Sequence, residues 1–110
     1  MMIYKIFRAD EWATLQADGE TTGAPIDVTD GYIHFSTAET VAETAAKYFA
    51  GVENLVLLGI ETEGLEPLKW EPAREGVLFP HLYRKLRIGD VAWSKPLPVV
   101  NGTHQFPALS

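Results

Sequence analysis

The sequence predicts a single α+β domain. Its length of 110 residues is that of one ordinary domain. A hydrophobic fraction of 46% suits a packed core and argues against disorder. Helical patterns come early and strand patterns dominate late, instead of alternating as in a βαβ repeat. Periodicity gives about five or six strands and two helices.

The elements are taken in chain order. Residues 2–8 alternate as a strand, with Ile3 and Phe7 as apolar positions. Residues 10–18 read as a short helix with Asp10 at its N-cap and Gly19 at its end. Residues 19–30 are rich in Gly, Thr, Pro and Asp and read as a loop, and Asp30-Gly31 turns into a strand over 31–35. Ser36-Thr37-Ala38-Glu39 has the form of a capping box. Val41, Ala45 and Phe49 come next at helical spacing, and Gly51 is placed to stop that helix. Residues 54–61 read as a buried strand, and 67–71 as a strand ended by Pro72. Residues 77–88 read as extended, and 91–95 as a strand. Pro96 and Pro98 confine the C-terminal stretch to an edge or a loop, and His104 falls in a tail.

Composition excludes several classes. There is no cysteine, so disulfides, thiolate catalysis and thiolate metal sites are ruled out. The longest apolar run, Leu55–Ile60, is too short to span a bilayer. The opening residues lack the pattern of a signal peptide, so a soluble cytoplasmic protein is expected, with no membrane partner. The net charge of −6 argues against nucleic acid as a partner. The charge is uneven. Residues 1–68 carry −9, and residues 69–87 carry +3 through Lys69, Arg74, Arg84, Lys85 and Arg87 against two acids. A local basic segment on an acidic protein suits a small anionic molecule better than a polymer.

Two segments hold the residues able to do chemistry. In Gly31-Tyr32-Ile33-His34-Phe35-Ser36, strand alternation sends Ile33 and Phe35 to the core. Tyr32, His34 and Ser36 then share the other face, which leads into the helix that Ser36 and Thr37 open. A helix N-terminus can hold phosphate or carboxylate, and a histidine beside it can donate to the same anion or act as a base. In Trp70-Glu71-Pro72 and Phe79-Pro80-His81-Leu82-Tyr83, prolines stiffen the backbone around Glu71 and His81. Glu71 can orient a histidine or a ribose hydroxyl, and Tyr83 or Trp70 can stack on a flat ligand, unless they and Phe79 are core. The spacing of these histidines and this glutamate matches no metal-ligand motif, so no metal is expected. Chemistry also places the side chains of His34, Ser36, His81 and at least one of Glu71 and Tyr83 in one cleft, with the histidine rings within about 10 Å of each other and partly accessible.

The strings at 31–39 and 70–83, with Trp12 and the Leu55–Ile60 strand, resemble the signatures of the bacterial domain-of-unknown-function family 952. The resemblance implies a fold like that of the ADP-ribosyltransferases, with two small, mostly antiparallel sheets around a cleft and two helices. That fold implies NAD or an ADP-ribose-like ligand, with transferase activity as one outcome. Carried over by motif, Lys5 takes the polar position of the first strand, His34 and Ser36 the second motif, and Glu71 or His81 the late acidic position. The candidate catalytic residues are therefore His34, His81 and Glu71. The ligand-binding candidates are Lys5, Tyr32, Ser36, Thr37, Arg74 and Tyr83. A non-catalytic interaction protein using exposed aromatics and the proline-rich segment 96–107 is the rival reading.

Overall fold

The structure, a computed structural model, describes residues 1–109, with Arg74 described by its backbone alone. β1 (Met2–Phe7) leads to α1 (Ala9–Asp18) and the short β2 (Glu20–Thr21). α2 (Pro25–Asp30), β3 (Ile33–His34) and α3 (Val41–Tyr48) come next. The second half is β4 (Leu55–Glu61), β5 (Leu68–Pro72), β6 (Leu78–Leu82), β7 (Leu86–Arg87), β8 (Val91–Leu97), β9 (Val99–Val100) and β10 (Thr103–His104).

Two three-stranded antiparallel sheets form the frame, in the orders β1-β4-β8 and β3-β6-β5. β2 with β7 and β9 with β10 make two further small ladders. β1 and β4 are buried on both faces, which is why Leu55–Ile60 reads as an unbroken apolar run. Alternation along them fills two cores. Ile3, Phe7, Leu58 and Ile60 pack with Leu15, Ile33, Phe35 and Leu82. Tyr4, Ile6, Leu55 and Leu57 pack with Val41, Ala45 and Leu97. Where the two sheets meet, Tyr4 and Ser36 form an isolated bridge, exchanging backbone hydrogen bonds of 2.8 Å each way.

The structure departs from the sequence reading in several places. The loop expected at 19–30 contains β2 and α2, so three α-helices are described and not two. Pro25 at the start of α2 supplies a helical φ where a free N–H is not needed. The capping box at Ser36 does not form. Residues 37–40 make a turn of their own, in which the Thr40 hydroxyl accepts from the Thr37 N–H, and α3 begins only at Val41. α1 starts one residue earlier than Asp10, with the Arg8 N–H donating to Glu11 at its mouth. The extended stretch 77–88 is broken between β6 and β7. The C-terminal stretch is not a tail. β8 runs through Pro96 as an edge strand, Phe106 and Leu109 pack on the second core, and His104 is buried against the Val52 carbonyl at 2.8 Å. Among the described residues no helix is long and apolar enough to cross a membrane.

Gly59 faces Trp93 across the β4–β8 pair, and a Cβ there would lie 2.3 Å from the indole ring. A glycine inside a strand marks such a close approach. Gly59→Ala is expected to destabilise the protein by about 1–3 kcal/mol through overpacking. Urea unfolding reads this directly, and an unchanged midpoint would show that Trp93 moves aside without cost.

Candidate functional site

The site is built on β3 and β6. In their register Ile33 lies opposite Leu82, and His34 lies opposite His81. Ile33 and Leu82 turn into the core, so alternation turns the histidine pair the other way. The imidazole centroids are 5.2 Å apart, with the rings at 68° to each other.

A buried carboxylate secures the first histidine. Asp27, 1% exposed, projects from α2 and accepts four hydrogen bonds. Its Oδ1 takes the His34 N–H at 3.0 Å and His34 Nδ1 at 2.6 Å. Its Oδ2 takes the Ala24 N–H at 2.8 Å and the Lys5 ammonium at 2.8 Å. Lys5 also donates to the His34 carbonyl at 2.8 Å. Burial pulls the Lys5 ammonium below its usual pKa, and Asp27 opposes the shift. Burial also favours the neutral form of Asp27, but donation from His34 and Lys5 outweighs it and holds the carboxyl below the usual range. His34 Nε2 meets a second carboxylate, Asp30 Oδ2, at 2.9 Å. Carboxylates only accept, so both His34 contacts are made together only by the doubly protonated ring. Gly23 makes room for Asp27: its φ is +97°, and a Cβ would lie 2.3 Å from Asp27 Oδ2.

A different carboxylate secures the second histidine. Glu71 Oε1 accepts from His81 Nδ1 at 2.8 Å and from the Tyr83 hydroxyl at 2.6 Å. Tyr83 and then His81 hold Glu71 below the usual carboxylate range. Donation to that carboxylate pushes Tyr83 up to about 12. Tyr32 stacks on the His81 ring, with centroids 4.3 Å apart and planes at 14°. Burial, then the charges of Asp30 and Glu71, raises the Tyr32 pKa.

A cavity of about 550 Å³ lies against the junction of the two sheets. Lys5, Asp30, His34, Ser36 and His81 give it a polar wall, Ile26, Phe35 and Phe79 an apolar one, and Arg8 and Tyr48 also line it. The Arg8 guanidinium lies 5.0 Å over the Phe49 ring and has no carboxylate partner among the described residues. Among the described residues, no group of three or more His, Asp or Glu side chains is placed to hold a metal ion.

The structure therefore brings Lys5, His34, Ser36 and His81 to one cavity. Glu71, Tyr83 and Tyr32 stand behind the histidines and do not line it. Thr37 belongs to the turn before α3, and the Arg74 side chain lies outside the described residues. The expected anion site at a Ser36-capped helix is absent. Ser36 Oγ instead meets Thr44 Oγ1, inside α3, at 3.1 Å. His81 is 3% exposed, more buried than expected, because Tyr32 covers it. Of the three aromatics weighed as core, only Phe79 is buried, while Trp70 and Tyr83 are exposed. The basic segment does not face the cavity as a free patch: Arg84 pairs with Asp90, and Lys85 with Glu20. Asp27 escaped sequence reading because it lay in an apparent loop. Its signal was Pro25 two residues earlier with Gly31 four residues later, the marks of a short helix.

Fold and site define a small α+β protein with a histidine-walled cavity where two antiparallel sheets meet. The chain belongs to the family described as protein of unknown function (DUF952), whose model matches residues 6–94. It is similar to protein CC0527 from Caulobacter crescentus. The crystal structure of that protein has a TM-score of 0.91 and 46% identity, covering 96% of this chain and 94% of the other. Its solution NMR structure has a TM-score of 0.84 and 45% identity, covering 94% and 90%. No curated protein matches the chain.

Removing Asp27 leaves the Lys5 ammonium buried and unpaired, so Asp27→Ala is expected to cost about 3–5 kcal/mol in urea unfolding. A loss under about 1 kcal/mol, as at a surface position, would show that the cluster is not structural. The same group sets an acid limb. Its folded pKa lies below the unfolded one, so its contribution is complete above about pH 4 and is lost as pH falls further. Below about pH 4, wild-type stability should fall more steeply with falling pH than that of Asp27→Asn. Parallel curves would assign the acid limb to other carboxylates.

Proposed function

We propose that the cavity binds a small anionic ligand of nucleotide type, NAD or an ADP-ribose-like molecule, as a transferase of the ADP-ribosyltransferase-like class would. One observation carries the reading: one cavity is lined by Lys5, Arg8, two carboxylate-held histidines and a serine together with apolar side chains. Its volume falls in the range of small-molecule sites, roughly 300–1,000 Å³. A flat base suits the apolar wall, and the Arg8 guanidinium suits a phosphate. Two three-stranded antiparallel sheets meeting at a cleft are also what the family resemblance implies.

The residues bear differently on the two halves of the reading. The positive charge of Lys5 is cancelled by Asp27, so Arg8 is the described cation left to meet an anion. Glu71, the acidic residue available for transferase chemistry, reaches the cavity only through His81. Ligand binding is therefore better supported than transfer.

A ligand at about 100 times its Kd stabilises the folded state by roughly 2.7 kcal/mol. In a thermal-shift panel of NAD, ADP-ribose, adenosine monophosphate and free phosphate, at least one nucleotide should raise the Tm, and Arg8→Ala should reduce the rise. A flat response at millimolar concentration would reject the reading.

A further inference from the structure

His81 differs from the other histidines in what its second nitrogen meets. His34 has a carboxylate at each ring nitrogen, and His104 places Nε2 on the Val52 carbonyl. His81 has Nδ1 on Glu71, and its Nε2 has no partner among the described residues, although the ring is 3% exposed and lines the cavity. A buried polar atom left unpaired costs about 1–3 kcal/mol, so such an atom in a cavity wall calls for a ligand group.

The kind of group is set by the proton. Glu71 is a carboxylate that already accepts from Tyr83, and a carboxylate has nothing to donate. Nδ1 must therefore carry the hydrogen. In the neutral ring, Nε2 is then a bare lone pair, which accepts and does not donate. A phosphate oxygen placed there would set lone pair against lone pair. A hydroxyl would complete the ring's bonding. His34 does not change the balance, since each of its ring nitrogens already faces a carboxylate, Asp27 or Asp30.

We propose that the His81 ring is neutral with Nε2 the acceptor for a hydroxyl of the bound ligand, a ribose hydroxyl in the nucleotide reading on which this assignment rests, and that Glu71 and Tyr83 are positioning residues that set its tautomer. The ligand thus lies with its ribose against the β3–β6 histidine pair and its phosphate away from it, toward Arg8. The histidine pair selects for a hydrogen-bond donor, and the anion is held elsewhere in the cavity.

Two measurements test this, and they fail separately. The first needs no ligand. Long-range proton–nitrogen NMR at neutral pH should show His81 protonated at Nδ1 and bare at Nε2, with Glu71→Ala shifting the ring toward the Nε2–H form and Tyr83→Phe shifting it less. An Nε2–H ring in the wild type, or a tautomer indifferent to Glu71→Ala, would overturn the assignment even if nucleotides bind. The second compares adenosine monophosphate with its dideoxyribose analogue by calorimetry. The analogue should bind the wild type roughly tenfold or more weakly, as loss of a partner for a buried acceptor requires. His81→Phe, which keeps a flat ring under Tyr32, should bind both alike. Equal binding of the two compounds by the wild type would overturn the ribose contact. Binding of neither, with the tautomer as expected, would overturn the nucleotide reading and the ribose contact together.

Discussion

The site depends on the buried carboxylate of Asp27. It reaches three elements at once: the Lys5 ammonium on β1, the Ala24 N–H at the mouth of α2, and the backbone and ring of His34 on β3. β1 and β3 belong to different sheets, and the segment after β3 meets β1 at the isolated Tyr4–Ser36 bridge. One bridge cannot define the angle between two sheets, and a carboxylate with donors on both can. A carboxylate held by several donors in a dry site is directional, and it is costly to disturb because every partner would be left unpaired. The six-residue α2 gains its order from the same group, being too short to persist by propensity.

The two histidines are equivalent by register and different by chemistry. They oppose each other on neighbouring strands, yet their carboxylates divide their roles. Asp27 and Asp30 hold His34 from both ends and make it a fixed part of the wall. Glu71 holds His81 from one end, and the other nitrogen has no partner among the described residues. Tyr32 lies flat on His81 and reaches the rings of His34 and Tyr83 at 4.7 and 5.1 Å, which restricts rotation of the whole group. A site whose side chains are held before a ligand arrives loses little conformational entropy on binding.

The fold was legible in the sequence where periodicity reports burial on both faces or one. The Leu55–Ile60 strand, the Val41–Ala45–Phe49 helical stripe and the alternation of Ile33 and Phe35 against Tyr32 and His34 are of this kind. The signals that failed were local ones that tertiary bonds overrode. Ser36 has the spacing of a helix cap, but its backbone is taken by the bridge to Tyr4, so the helix starts after the chain has turned at residues 37–40. Pro25 and Gly31 bracket a helix too short to give an apolar period. The meeting of His34 and His81 had no sequence signature, because register across 47 positions is set by strand order, which only the assembled sheet defines. Charge counts are blind to pairing: within the late basic segment Arg84 and Lys85 each have an acidic partner.

Burial of charge at this site bears on why an acidic protein can still suit an anionic ligand. The net charge of −6 sets a weak long-range repulsion, screened within about 8–10 Å in physiological salt. Inside the cavity the nearest charges decide. Asp27 is paired with the Lys5 ammonium, Asp30 on the wall lies 2.9 Å from His34 Nε2, and Glu71 does not line the cavity. In the proposed reading the polar groups offered to a ligand include Arg8, Ser36 and His81. They ask for an anion, a second hydrogen-bonding group and a donor, with an apolar face toward Phe35 and Phe79. In the proposed reading a phosphate, a sugar and a flat ring meet that set together, and free phosphate or a bare aromatic meets only part of it.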